Sequence, residues 1–396
     1  MLHRIVILGA GYAGAYAAGL LARRLHRDEV EITVVNGEPD FVERMRLHQL
    51  AAGHELPRHE LAEMFAGTGL RLRVARVDAV DPDARTVALT GDDGNDRLDF
   101  DTLVYALGST AAVHEVPGVA EHAFHVAGRP SALRLRTRLD ELDGNGTVLV
   151  VGGNLTGIEA ATELAESRPG LRITLATSGE LGGWLGPAAR RHLRQAFDRF
   201  GIAVHEHTTI ERVEANSAVA ADGTVFPADA TVWTAGFAVH PVAAASGLAV
   251  QENGRILVDR MMRSVSHPGV YAAGDSAFVI GDNGRPLPMS CASAGFTATQ
   301  AVAAIVGDLT GRPIARTGLP YVGNHISLGR KDAIFQLVDD DAQSRAWALR
   351  GRPAAGVKAA ILAAGPWSLR HPTYGMPRRR FHVADAAQRS GKAVAA

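Results

Sequence analysis

The sequence predicts an α/β protein built on parallel sheets, and three observations predict it. Near the start, "HRIVILGAGYAGAYAAGLLARR" carries four apolar residues, Ile5 to Leu8, then Gly9, Gly11 and Gly14, then a run of small residues. Farther on, "GTVLVVGGNLTGIEAATELAES" repeats that plan, with Gly152, Asn154 and Gly157 in the glycine positions. Three more apolar runs, "LVYALGS", "TVWTAGF" and "GVYAAGDSA", each stop at a glycine. Together these predict two Rossmann-like dinucleotide-binding domains with small antiparallel meanders, plus a C-terminal α+β extension.

Each element has a local reason. A short, continuous apolar run suits a strand buried on both faces of a parallel sheet. The glycines at positions one, three and six permit a tight turn and aim a helix N-terminus at phosphate. After each unit the chain alternates apolar and polar residues around Asp/Gly turns, as a meander should. It then returns through an aspartate, Asp101 or Asp229, to an apolar strand ending in glycine, Gly108 in the first copy. In "GVYAAGDSA" the strand ends at Gly274 and Asp275, at the carboxyl edge where open α/β sheets bind ligands.

Composition narrows the function classes. At 396 residues and 46% hydrophobic content the chain exceeds one ordinary domain. A net charge of −1 provides no field to gather nucleic acid. The one cysteine, Cys291, excludes an internal disulfide, a CxxC pair and a thiolate zinc cluster, which fits a reducing compartment. "HEH" at 205–207 has no accompanying carboxylate or cysteine cluster, so no metal is expected. The chain enters a strand by Arg4, and no apolar run approaches the roughly 20 residues of a membrane span. A cytoplasmic location is the expectation.

The two nucleotide units, the strand ends and "GVYAAGD" resemble the two-dinucleotide-binding-domain flavoproteins. Within them, "GIEAATELAE", "VWTAGF" and the C-terminal extension are most similar to the type II NADH dehydrogenases. The resemblance implies an FAD-binding domain in two parts, 1–112 and 255–312, an NAD(P)-binding-like domain at 113–254, and a C-terminal domain at 313–396. It implies that Gly9, Gly11 and Gly14 receive FAD, that Asp275 bonds the ribityl chain, and that the second unit was built for NAD(P)H. In the related dehydrogenases the helix after the "GVYAAGD" strand carries AQxAxQ, which contacts quinone. The run here is "CASAGF", which argues against quinone as the acceptor.

Candidate site residues follow. The acid expected about 20 residues past the first fingerprint, where it holds ribose hydroxyls, is replaced by Asn36, which still hydrogen-bonds without charge. In similar flavoproteins the segment corresponding to "DFVERMRLHQLAAG", residues 40 to 53, runs beside the flavin, and this resemblance makes Arg46 and His48 the candidates to sit over it, one holding negative charge and the other moving protons. The alternative is a solvated helix. Glu159 reads either as an acid close to nicotinamide and flavin, as the resemblance implies, or as a first-turn acid favoured by the helix dipole. Cys291 either approaches the flavin or is simply buried.

The second unit raises the main question. Asn154 puts a side chain where pyrophosphate approaches, and Thr177 or Ser178 stands where a ribose-binding acid belongs, so the nicotinamide site is expected to be weak. The function predicted is an FAD-dependent oxidoreductase passing electrons from NAD(P)H to a small apolar or aromatic acceptor. Two alternatives stay open: a flavoenzyme with a degenerate nicotinamide site that catalyses an oxidative or redox-neutral step, and a flavin-binding sensor like the apoptosis-inducing-factor group. The C-terminal "GVKAAILAAGPWSLRHPTYGMPRRRF" is where the resemblance implies a membrane-surface contact. Its shortness and its interruption at Gly365-Pro366 argue against one.

Overall fold

The structure is a computed structural model that describes residues 2–384 apart from 93, 143, 340–342 and 372–378. Strand β1 (His3–Leu8) leads into helix α1 (Tyr12–Arg24), strand β2 (Val30–Asn36), helix α2 (Leu47–Ala52) and strand β3 (Arg71–Val74). Three antiparallel strands at Arg76–Asp81, Thr86–Gly91 and Gly94–Asp99 precede β4 (Thr102–Tyr105). The second unit runs through helix α3 (Arg129–Glu141), β5 (Thr147–Val151), α4 (Leu155–Ser167), β6 (Arg172–Ala176) and β7 (Ala203–His205). Its own meander, Ile210–Glu214, Ser217–Ala220 and Val225–Pro227, precedes β8 (Ala230–Trp233). The chain then adds β9 (Val270–Ala272) and helix α5 (Cys291–Thr310). Antiparallel strands β10 (Gly323–Ser327), β11 (Ala333–Val338) and β12 (Ser344–Arg350) and helix α6 (Arg352–Arg370) complete it.

The first sheet has the order β9-β4-β1-β2-β3, all parallel. A late strand, β9, therefore joins the sheet that begins the chain, which brings Asp275 to the same edge as Gly9. The second sheet has the order β7-β6-β5-β8, with a short strand at Ala123–Phe124 on its edge. In both units the returning aspartate ties strand to strand. Asp101 accepts from the Arg4 amide and guanidinium, and Asp229 accepts from the Thr147 amide and hydroxyl at 2.8 Å each.

The apolar runs are buried as a parallel sheet requires. Ile5, Ile7 and Leu8 have no exposure, and each contributes roughly 1.5–3 kcal/mol by leaving water. The glycine turn above them is set by close approach. A Cβ on Gly14 would lie 1.9 Å from the Gly9 carbonyl oxygen, whereas one on Gly11 would meet nothing within 4 Å. Gly14 thus serves chain packing, and the space beside Gly11 is left for a ligand.

Helix α6 departs from expectation. It runs unbroken from Arg352 to Arg370 through Pro366, so the Gly365-Pro366 pair does not interrupt it. Pro366 falls near the helix end, is buried, and follows a Gly365 seated against the Tyr12 ring of α1, so packing holds the turn that proline weakens. Residues 372–378 of the C-terminal stretch lie outside the described residues. Among the described residues no helix is long and apolar enough to cross a membrane.

Candidate active site

Two cavities meet at the carboxyl edge of the first sheet. The larger, about 550 Å³, runs from Asn36 and Glu38 at the end of β2, past Gly9 and Gly11, to Gly108, Gly274 and Asp275. Its length, its glycine turn and the Gly11 opening fit a dinucleotide laid across the sheet edge, with its phosphates at the α1 N-terminus. The residues present therefore fit FAD.

Asn36 sits in this wall, but not as a free ribose donor. Its Oδ1 accepts from the Ala10 amide at 2.8 Å and its Nδ2 donates to the Glu38 carbonyl at 2.7 Å, so the side chain braces the glycine turn. Glu38, two residues on in "VVNGEPD", brings a carboxylate to the same edge and was missed because it lies past the expected position. Asp275 accepts from the Ser109 hydroxyl at 2.7 Å and lies 3.8 Å from the Arg44 guanidinium. Arg44 also donates to the Ser109 hydroxyl and covers the Phe237 ring.

Of Arg44 and Arg46, Arg44 is the one that lines the cavities. Arg46 lines neither cavity, because its guanidinium turns to Glu43 and Gln49. The short helical turn at Arg44–Arg46 points the two side chains apart, which spacing alone did not reveal.

The second cavity, about 230 Å³, shares Arg44, Asp275 and Cys291 with the first. One end is formed by Asn154 and Thr156 at the start of α4, the other by Tyr321 just before β10, His325 of β10 and Lys358 of α6. Between them lies Glu159, 9% exposed. Its Oε1 is 2.8 Å from Lys358 Nζ and accepts from the Ser327 amide at 2.9 Å. Burial alone would raise the Glu159 carboxyl, but Lys358 and then His48 outweigh it and hold it below its ordinary range. The first turn of α4 carries no acid, so Glu159 is not a first-turn dipole residue. Lys358 also reaches His325, with Nζ 3.1 Å from Nδ1 and 3.2 Å from the carbonyl oxygen. A lone lysine among the apolar residues "GVKAAILAAG" was its only sequence signal.

His48 is 4% exposed, lines the second cavity, and its Nε2 has no hydrogen-bond partner. Burial, countered by Glu159 and assisted by Lys358, pulls its imidazole down to about 4. It is neutral near pH 7, a donor or acceptor for a ligand and not a cation. Cys291 opens α5 between the two cavities, and burial pushes its thiol up to about 12, so it is no thiolate nucleophile at neutral pH.

Asn154 keeps the backbone of its counterpart, at φ −80° and ψ −179° against −72° and −168° for Gly11. Its side chain does not stand free. Oδ1 accepts from the Gly157 amide at 3.0 Å and Nδ2 donates to the Thr234 carbonyl at 2.6 Å, which caps α4 and ties it to the end of β8. Thr177 is buried behind this turn, and Ser178 is exposed.

Residues 3–298 match the family model described as pyridine nucleotide-disulphide oxidoreductase. The chain is similar to an NADH dehydrogenase-like protein of Mycobacterium tuberculosis, 29% identical over 385 residues, covering 91% of this chain and 93% of the relative. It is similar to the demethylphylloquinone reductase of Synechocystis, at 28% identity over 84% of this chain and 86% of that protein. A type II NADH:quinone oxidoreductase of Staphylococcus aureus is 25% identical, over 91% and 92% of the two chains. In fold, the chain matches the sulfide:quinone oxidoreductase of Aquifex aeolicus with a TM-score of 0.76 at 22% identity, over 93% of this chain and 92% of that one.

Proposed function

The chain belongs to the pyridine nucleotide-disulphide oxidoreductase family and is an FAD-dependent oxidoreductase, and from that premise we propose that it passes the electrons of NAD(P)H to a quinone-class acceptor held in the second cavity. The observation that carries this reading is the buried Glu159–Lys358 pair lining that cavity, beside the Arg44, Asp275 and Cys291 wall it shares with the dinucleotide groove. A carbonyl oxygen that gains electrons needs a proton donor within hydrogen-bond reach. Lys358 supplies one, and His325 and Glu159 orient it.

Bound FAD would supply two-electron transfer between nicotinamide and acceptor. The protein's part is placement. Asn154 and Thr156 mark the nicotinamide end, and Tyr321, Asn324 and Lys358 mark the acceptor end. Arg44 and Asp275 hold the wall between, and His48 offers its neutral ring nitrogen to whatever fills the space. The missing AQxAxQ run leaves Cys291 and Ala292 on the α5 side, small residues that leave room for an acceptor ring. The quinone-class relatives support this acceptor over the sequence expectation against it.

The test is anaerobic. We expect NADH or NADPH to bleach the bound flavin and a soluble benzoquinone or naphthoquinone to restore its colour faster than O₂ does. A reduced protein that only O₂ reoxidises would overturn the acceptor assignment.

The acceptor end also favours a membrane surface. Helix α6 exposes Pro353, Val357, Ala360, Ala364 and Trp367 along one face, and no exposed charge interrupts it between Arg352 and Arg370. An apolar face with a tryptophan, closed by arginines and starting beside Lys358, suits a lipid interface from which an apolar acceptor enters. The protein should cosediment with phospholipid vesicles, and Trp367→Ser should release most of it. Equal pelleting of both proteins, or of neither, would sink the contact.

A further inference from the structure

Buried carboxylates without full hydrogen bonding call for an explanation, and the interface of α2 with α4 holds one that the chemistry above does not use. Glu163 lies one helical turn beyond Glu159, on the same side of α4. Its side chain has no exposure, and its Oε2 has no hydrogen-bond partner. Its Oε1 is 2.8 Å from Nε2 of His54, whose side chain is 39% exposed just past the end of α2. Ser167 bonds the same histidine nitrogen at 3.0 Å. At the inner end of the interface stands His48, with its own unpartnered Nε2, facing Glu159.

The row therefore runs inward as a half-exposed imidazole, a buried carboxyl, a second buried carboxyl and a buried lysine at the acceptor cavity. Two histidines of the α2 segment, His48 and His54, face two glutamates of α4, Glu159 and Glu163. The other charged groups near Glu163 are Arg330 and Glu166, which bond each other through the Arg330 amide and the Glu166 carboxylate. Burial raises the Glu163 carboxyl, with Arg330 and His54 acting against it, whereas Lys358 holds the Glu159 carboxyl down.

Resting on the acceptor reading, we propose that His54 and Glu163 form the proton-uptake route that recharges the Glu159–Lys358 pair after each acceptor is reduced. The balance requires such a route. A 1,4-dicarbonyl acceptor becomes its dihydroxy form by taking two electrons and two protons. The hydride that leaves the nicotinamide carries both electrons and one proton, and the second proton comes from solvent. Lys358 gives that proton to the acceptor oxygen, and Glu163, one turn of α4 away, returns one to the pair through Glu159. His54 takes it up from outside.

Two acceptors separate this role from a structural one. Glu163→Gln should slow quinone reduction about a hundredfold, the low end of what losing a proton-transfer group costs, and leave ferricyanide reduction near wild type, since that acceptor takes an electron and no proton. His54→Ala should show the same selective loss at low buffer concentration, and added imidazole should restore it. Imidazole should not restore Glu163→Gln. Equal slowing with both acceptors, or no slowing, would overturn the route.

An infrared titration of the resting holoprotein gives a readout apart from turnover. A carboxyl band that titrates above the ordinary carboxylate range, lost in Glu163→Gln and displaced in His54→Ala, is expected. Its absence in the wild type would overturn the route. Wild type that reduces ferricyanide but no quinone would remove the acceptor reading alone, and the infrared band would still decide whether Glu163 holds a proton.

Discussion

Replacing Lys358 with methionine should cost this protein about 3–5 kcal/mol at neutral pH and nearly all of its quinone reduction, the largest effects expected of any single change in the site. Methionine fills the volume of the lysine stem, so the loss is not one of packing. What it removes is the counter-charge of a carboxylate only 9% exposed, 2.8 Å away. An ionised carboxylate left in that surrounding keeps the Ser327 amide and little else.

The sign of the pH dependence follows. In the wild type the folded Glu159 carboxyl lies below its unfolded value, so the pair stabilises the fold above the unfolded value of about 4.3 and loses that contribution as pH falls through the folded one. Without Lys358 the folded carboxyl moves above its unfolded value, because burial then dominates. The variant's deficit should therefore be largest at neutral and higher pH and should shrink as the medium approaches pH 5. His48 would join the rescue, since Lys358 is among the groups that lower its imidazole. The double change Lys358→Met with Glu159→Gln should recover much of the stability without the quinone activity, because it removes both charges. Thermal melts of the three proteins from pH 5 to 8 check this. A single variant as stable as wild type at pH 8 would show that the pair is not buried as described.

What the sequence told and what it withheld divide along a physical line. The repeat, the strand runs and the glycine turns were legible because each rests on contacts within some 20 residues, where period and spacing are set. The return of β9 to the first sheet was legible too, because Gly274 and Asp275 mark a sheet edge. The chemistry of the second cavity was not. Lys358 comes from a helix nearly 200 residues past Glu159, and no local pattern joins them. Arg44 and Arg46 differ by two positions in a single turn of helix, so choosing between them needs the direction of each side chain. Glu159 was named from its place in "TGIEAA", yet its partner decides its charge.

Asn154 shows the same division within a single residue, and replacing it with glycine should tighten NADH or NADPH about tenfold, or 1.4 kcal/mol. The backbone there already matches Gly11, so glycine enters without strain. What changes is the side chain, which occupies the Gly157 amide that a pyrophosphate at the α4 N-terminus would otherwise use. The cap is a competitor of the ligand. Losing it costs the helix a few tenths of a kilocalorie per mole, and losing the Thr234 tie costs somewhat more, so the variant should melt slightly below wild type while binding nicotinamide better. Asn154→Ala separates the two causes: it frees the amide yet keeps a Cβ in the path of the phosphates, and should fall between asparagine and glycine. Anaerobic stopped-flow bleaching of the flavin, with each nucleotide and all three proteins, reads the result directly. Fast, saturable bleaching of the unaltered protein at micromolar NADH, with no gain from glycine, would show that pyrophosphate binds without the Gly157 amide and that the asparagine is a cap and nothing more.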